Sequence, residues 1–266
     1  MSDDFLFSLT ALISLVPAAL VAWRRGGRRD AVFWAALAAG IAGPSAWCLH
    51  LVADTWHTGL STALWFTVAT SMWLFGLVAL VTGQGWRLTP LVAPYMIVVA
   101  LLAMAWQTGP KVQALDGDWG WLSLHIVVSV LTYGMVTIAG VAALAAFLQE
   151  RALKRKHPNA LTRHLPSVAD SERLVVRLLS LGEVVLGIGL ITGMALSYRE
   201  TGALAYLDHK TVLSVLSFVV IGLLLIAHFR SGLRGRLAAR VVLLAYLLLT
   251  LGYPGVKFVT DVIMAT

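Results

Sequence analysis

Eight apolar runs, each near the length of one membrane crossing and joined by short polar links, limit this chain more than any other feature. They cover roughly residues 5–23, 32–54, 60–82, 88–107, 121–148, 174–197, 210–229 and 238–263. A helical span needs about 20 mostly apolar residues. Hydrocarbon leaves no water for backbone polar groups, so only helices or a closed barrel can cross it. A barrel would alternate apolar and polar residues in strands of about ten, and no run here alternates. With 59% hydrophobic and 12% charged residues, the chain has too little polar surface to enclose its apolar part in water. The expected architecture is all-α: a polytopic membrane protein of about eight transmembrane helices, one integral membrane domain over 1–266.

The links leave little room for anything else. The one sizeable connection, 149–173, is too short and polar for a domain, and there is no internal repeat or low-complexity tract. The start, Met1-Ser2-Asp3-Asp4, lacks the basic region of a signal peptide, and its basic cluster follows the apolar run, so 5–23 reads as a retained first helix. A single cysteine, Cys48, excludes an intrachain disulfide and the Cys-x-x-Cys-His haem attachment, so the chain is not itself a c-type cytochrome. Its plain reading is a small buried hydrophobe.

Basic residues set the expected orientation, because Lys and Arg concentrate in cytoplasmic loops. With both termini outside the cytoplasm, the inner loops carry Arg24, Arg25, Arg28, Arg29, Arg87, Arg151, Lys154, Arg155, Lys156, Arg163, Arg173, Arg177, Arg230, Arg234, Arg236 and Arg240. These are 16 of the 20 basic residues; Lys111, Arg199, Lys210 and Lys257 fall outside. The net charge of +7 then belongs to a surface facing anionic lipid, and no nucleic-acid partner is implied.

Topology sorts the seven histidines. His157 and His164 fall in the basic loop as solvated residues, His57 in a short outer loop, and His228 at the inner end of the seventh span. His125 opens the fifth span and His209 the seventh, both near the outer face, while His50 lies in the last turns of the second. Ionisable groups at membrane depth are costly and are functional candidates. Two imidazoles from facing helices can hold haem iron axially, although a histidine at a helix start also serves simply to bond a neighbour or a headgroup. Glu183 is the one acid deep in a span. It fits a proton relay, a histidine partner, or an acid bonded to the next helix, with Gly182, Gly187, Gly189 and Gly193 permitting close packing. All ten tryptophans lie between Trp23 and Trp121, several where an outer aromatic belt belongs. No nucleophile–base pair, phosphate loop or carboxylate pair occurs within the spans, which points to binding rather than catalysis.

From residue 119 onward the chain resembles the cytochrome c assembly family of haem-handling membrane proteins (CcsA/CcmC type), most closely its YpjD and HemX-like branch. Four stretches carry this: Trp121-Leu122-Ser123-Leu124-His125 with Tyr133; Gly189-Leu190-Ile191-Thr192-Gly193; Asp208-His209-Lys210-Thr211; and Gly232-Leu233-Arg234-Gly235-Arg236 with Tyr253 and Lys257. The resemblance implies that His125 is the first outer-face haem histidine and that His228 matches a membrane-embedded one. The family's tryptophan-dense loop ending Trp-Asp-Pro-Lys is here 201–210, which keeps Gly202, Asp208 and Lys210, loses the tryptophans, and has His209 for proline. The family's second outer histidine is missing, because no histidine follows His228.

Residues and resemblance together give one expectation: non-covalent haem b held between His125 and His209 near the outer face, with His50 as substitute or neighbour. The setting is a bacterial inner membrane, and the role is haem handling and cytochrome c assembly, with lipid, haem and assembly or haem-synthesis proteins as partners. Two alternatives stand beside it. One is a HemX-like regulatory or scaffold protein that docks a haem-synthesis enzyme through its basic loop. The other is a proton-coupled carrier using Glu183, which the absence of an inverted repeat disfavours.

Overall fold

The computed structural model describes residues 3–24, 29–54, 59–107, 119–201 and 209–259. The expectations placed on Trp56, His57, Gly202, Asp208 and the last residues of the eighth run lie outside these segments.

The elements are α1 (Asp3–Arg24), α2 (Ala31–Asp54), α3 (Leu60–Val81), a 3-10 turn (Gly85–Leu88), α4 (Thr89–Ala105), α5 (Trp119–Arg155), α6 (Ala160–His164), α7 (Val168–Thr201), α8 (His209–Ser231) and α9 (Gly235–Thr250). A π turn (Leu251–Gly255) and α10 (Val256–Phe258) continue the last helix. Among the described residues, eight helical segments are long and apolar enough to cross a membrane, and the protein is all-α and polytopic.

The bundle forms two groups. In the first, α1 packs on α2 and α4, and α3 on α2 and α4. The fully buried Leu15, Leu37, Trp47, Trp65, Met72, Phe75 and Met96 make its core. Close approach of α1 and α2 depends on Gly43, where any Cβ would overlap the Ser14 side chain. In the second group α5 packs on α7 and α9, and α8 on both of those. Along α5 the small buried residues Ala139, Ala142, Ala143 and Ala145 let the neighbouring backbones approach. Contact between α3 and α5 joins the groups. Large apolar side chains such as Leu77, Val81, Leu181, Val184, Ile191 and Leu223 face outward, as a lipid solvent permits.

The expected 149–173 link is mostly helix, a correction to the sequence reading. Helix α5 runs 37 residues, about 55 Å at 1.5 Å per residue, against a hydrocarbon core of about 30 Å. Its last turns hold good helix formers and an i,i+4 pair, Lys154 Nζ to Glu150 Oε1 at 2.5 Å. Only Lys156–Asn159 and Leu165–Ser167 remain irregular, around α6. Asn159 and Thr162 form a reciprocal capping box that starts α6. Gln149 Nε2 then donates to the carbonyls of Thr162 (2.8 Å), Pro166 (3.2 Å) and Leu165 (3.3 Å), tying the linker to α5.

The same end of the bundle carries the α8–α9 corner. Gly232 (φ +66°) closes α8 in the left-handed conformation, its N–H donating to the His228 carbonyl. The backbone N–H of Gly235 donates to Glu172 Oε1 at 2.8 Å, which places a carboxylate at the start of α9.

Candidate functional site

Helices α7 and α8 run antiparallel, and two contacts set their register. A Cβ at Gly187 would lie 3.4 Å from the Phe218 ring, and one at Gly222 would lie 3.0 Å from Glu183 Oε1. Both pairs share one register, which sets Thr192 level with Leu213. His209, the first residue of α8, therefore lies four residues beyond that level, about 6 Å further along.

His125 meets α7 at the Thr192 level. Its half-buried ring places Nδ1 3.2 Å from Thr192 Oγ1, and the Thr192 hydroxyl donates to the Gly189 carbonyl at 3.0 Å. Gly193 floors the ring: a Cβ there would stand 3.0 Å from His125 Cε1. Gly189 lies against Val128 of α5 in the same way, at 3.4 Å. The glycines expected to bring helices together thus do so, and two of them build the seat of the histidine.

The other histidines occupy separate positions. His209 is exposed at the same bundle end as His125. His50 sits in the first group, stacked on Phe7 (centroids 5.1 Å, planes 12° apart), with Nε2 3.5 Å from Asp4 Oδ1. Its helix packs on α1 and α3. His228 is in the last turn of α8, nineteen residues or about 28 Å along the helix from His209. Its Nδ1 lies 2.9 Å from the Leu233 carbonyl, which fixes it as the donor and closes the α8–α9 corner. His157 is exposed, and His164 borders a small cleft with Val21, Phe33, Trp86 and Arg87.

Glu183 lies at the α7–α8 seam, one oxygen against the notch left by Gly222, and its buried Oε2 has no hydrogen-bond partner among the described residues. The neighbour-bonded acid anticipated from sequence is therefore seated by shape rather than by a described hydrogen bond. Between the two groups, Tyr95 of α4, Tyr133 of α5, and Tyr246 and Thr250 of α9 join their hydroxyls in a chain. Of these, sequence reading singled out only Tyr133. Tyr95 and Tyr246 are 151 residues apart and nothing in the pattern links them.

Among the described residues, no three of His, Cys, Asp and Glu converge to cage a metal ion. Axial haem ligation asks only for single imidazoles at the two faces of a ring. His125 suits such a role in kind: it is half-buried at a helix end, with one ring nitrogen engaged by Thr192.

No solved structure matches the chain. A 28.8 kDa protein of Azospirillum brasilense, described by its position in a nifR3-like 5′ region, is 56% identical over 270 residues, 99% of this chain and all of that one. The Escherichia coli inner membrane protein YpjD is 28% identical over 180 residues, 68% of this chain and 66% of that protein. Protein HemX of Brevibacillus brevis is 27% identical over 134 residues, 50% of this chain and 49% of the relative. The eight membrane-length apolar helices among the described residues and the likeness to YpjD make this a multi-pass protein of a bacterial inner membrane. The cytochrome c assembly protein family matches residues 44–264, across both helix groups and every histidine from His50 to His228, and the chain belongs to that family.

Proposed function

We propose that the protein binds haem b non-covalently near the outer face of the inner membrane and handles it during cytochrome c assembly. His125 and His209 are the residues that would hold its iron. The observation that carries this reading is the seat of His125: a half-buried imidazole, floored by glycine and engaged at one nitrogen, in a chain of the cytochrome c assembly family. When bound, haem would supply the iron chemistry. The chain's own residues bind and orient it, and the apolar flanks of α5, α7 and α8 exclude water.

This reading sets both termini outside the cytoplasm. The bundle end with Arg87, Arg163, Arg234 and Arg236 then faces inward, in keeping with the positive-inside rule. The test is the visible spectrum of protein purified in detergent after expression with haem supplied. A bis-histidine, low-spin, six-coordinate spectrum supports the proposal, and colourless protein overturns it.

One structural observation favours a second reading. Helices α5 and α7 are longer than one membrane crossing, and with the turn after α5 they present exposed Arg151, Lys154, Arg155, Lys156 and Arg173. This projection suits a cytoplasmic partner, as in a HemX-like regulator of haem synthesis. Replacing Lys154, Arg155 and Lys156 by glutamine would weaken that association without loss of folded protein. An unchanged set of co-purifying proteins counts against it.

A further inference from the structure

We infer that Thr192 is the positioning residue that fixes the tautomer of His125 and so decides which ring nitrogen is offered to a ligand; this rests on the haem-binding reading only for the ligand's identity. A threonine hydroxyl has one proton and two lone pairs. The Thr192 proton is committed to the Gly189 carbonyl three residues back, at 3.0 Å. Towards His125 Nδ1, 3.2 Å away, Thr192 Oγ1 therefore presents a lone pair. Only an Nδ1–H can use it. A neutral imidazole carries one N–H, so Nε2 keeps its lone pair and is the nitrogen able to coordinate iron.

The surroundings reinforce this choice. The Gly189 carbonyl, by accepting from Thr192, holds that hydroxyl in place. Gly193 sets the ring height, since a Cβ would press on Cε1 at 3.0 Å, tighter than ordinary van der Waals contact. Thr192 is itself 5% exposed, so its hydroxyl has little access to anything but these two partners. The sequence Gly189-Leu190-Ile191-Thr192-Gly193 acts as one device: acceptor carbonyl, relay hydroxyl and floor, on successive turns of one helix face. Outer partners of this kind orient metal-ligating histidines and hold their basicity.

The experiment uses the full chain in detergent, labelled with 15N-histidine and free of haem, with His125→Asn to assign the resonance. Long-range proton–nitrogen correlation is expected to report the Nδ1–H tautomer for His125. Thr192→Val, which keeps the shape and removes the hydroxyl, is expected to shift the ring toward a mixture with Nε2–H, and Thr192→Ser to restore the original state. Gly193→Ala, which keeps the hydroxyl but displaces the ring, is expected to give the same shift as valine and serves if Thr192→Val does not fold. An Nε2–H tautomer in the unmodified protein, or valine and alanine variants with unchanged His125 signals, overturns the assignment. Haemin titration forms the second arm, with affinity expected to fall roughly 10- to 100-fold in Thr192→Val and to return in Thr192→Ser. If the unmodified protein shows the stated tautomer but takes up no haemin, the functional reading fails and the positioning role stands.

Discussion

Tyr133 on α5 donates its phenolic proton to Thr250 Oγ1 on α9 across 3.1 Å, a direction imposed because Thr250 spends its own proton on the Tyr246 carbonyl at 2.8 Å. The remaining bonds then have one consistent order: Tyr246 donates to Tyr133 at 3.3 Å, and Tyr95 donates to Tyr246. The chain satisfies four hydroxyls inside the bundle and fastens α4, from the first helix group, to α5 and α9 of the second. It stands at the last regular turn of α9, directly before the π turn Leu251–Gly255.

This order predicts unequal effects for two similar substitutions. Tyr133→Phe removes both the acceptor for Tyr246 and the donor for Thr250, at a cost of about 1–3 kcal/mol. Tyr95→Phe removes only a donor from the head of the chain and should cost about 0.5–1 kcal/mol. Unfolding of the detergent-purified variants would show the difference. Equal losses would mean that the chain is not ordered in this sense.

Glu183 and Gly222 give a coupling that can be measured. Alanine at Gly222 would press on Glu183 Oε1, 3.0 Å away, so the carboxyl must move from its notch. Truncating Glu183 to alanine frees that space. Gly222→Ala should therefore be destabilising alone and nearly neutral beside Glu183→Ala, with an interaction energy of roughly 0.5–3 kcal/mol in a double-mutant cycle. Additive effects would show that the seam does not depend on this pair.

How much of this was legible beforehand follows from the range of each interaction. The eight spans were readable because the penalty for polar groups in hydrocarbon falls on every residue of a run. The lengths of α5 and α7 were not, since past the membrane a helix persists through contacts such as Gln149 with the carbonyls of Thr162, Leu165 and Pro166, which hydropathy does not register. A signal did exist in Asn159 and Thr162, a cap spacing that announces α6. At the candidate site, His125 stood out because an ionisable group near a span is rare, while Thr192 passed as an ordinary residue between glycines. Its role depends on the partner 67 residues away and on the 3.0 Å bond to Gly189, which only the fold supplies.

The α8–α9 corner makes a third prediction. The Glu172 carboxylate accepts from the Gly235 N–H at the start of α9, and Glu150 Oε1 meets Arg236 Nε at 3.4 Å beside it. Glu172→Ala should cost about 0.5–2 kcal/mol, the range for loss of a helix-start acceptor. Glu150→Ala should cost less, because its partners Lys154 and Arg236 are about half exposed. The reverse ranking in thermal unfolding would place the corner's strength in the ion pairs.

Sidedness is open to a direct test. With the basic end inward, a reporter active only outside the cytoplasm should work when fused after Thr266 and fail when inserted near Lys156, in the turn that follows α5. The opposite pattern would turn His125 and His209 to the cytoplasm and remove the geometric basis of the functional proposal.

The last prediction concerns the ligands themselves. Two neutral imidazoles on one iron give a six-coordinate low-spin haem, and loss of either leaves an open or exchangeable position. His125→Ala and His209→Ala should each lower haem content or change the coordination seen in the spectrum. His157→Ala, in the exposed turn after α5, and His164→Ala, beside the cleft at the basic end, should leave it unchanged. His228→Ala should act differently again: losing the bond to the Leu233 carbonyl loosens the α8–α9 corner and lowers stability while the spectrum of remaining holoprotein stays the same. His50 separates two versions of the site, because its ring is held between Phe7 and Asp4 at the α1–α2 mouth. If His50→Ala removes the low-spin signal and His209→Ala does not, the second ligand comes from the first helix group, and α1 and α2 must approach α5 more closely when haem is bound. If His125→Ala keeps the full spectrum, the seat built by Gly189, Thr192 and Gly193 serves something other than iron.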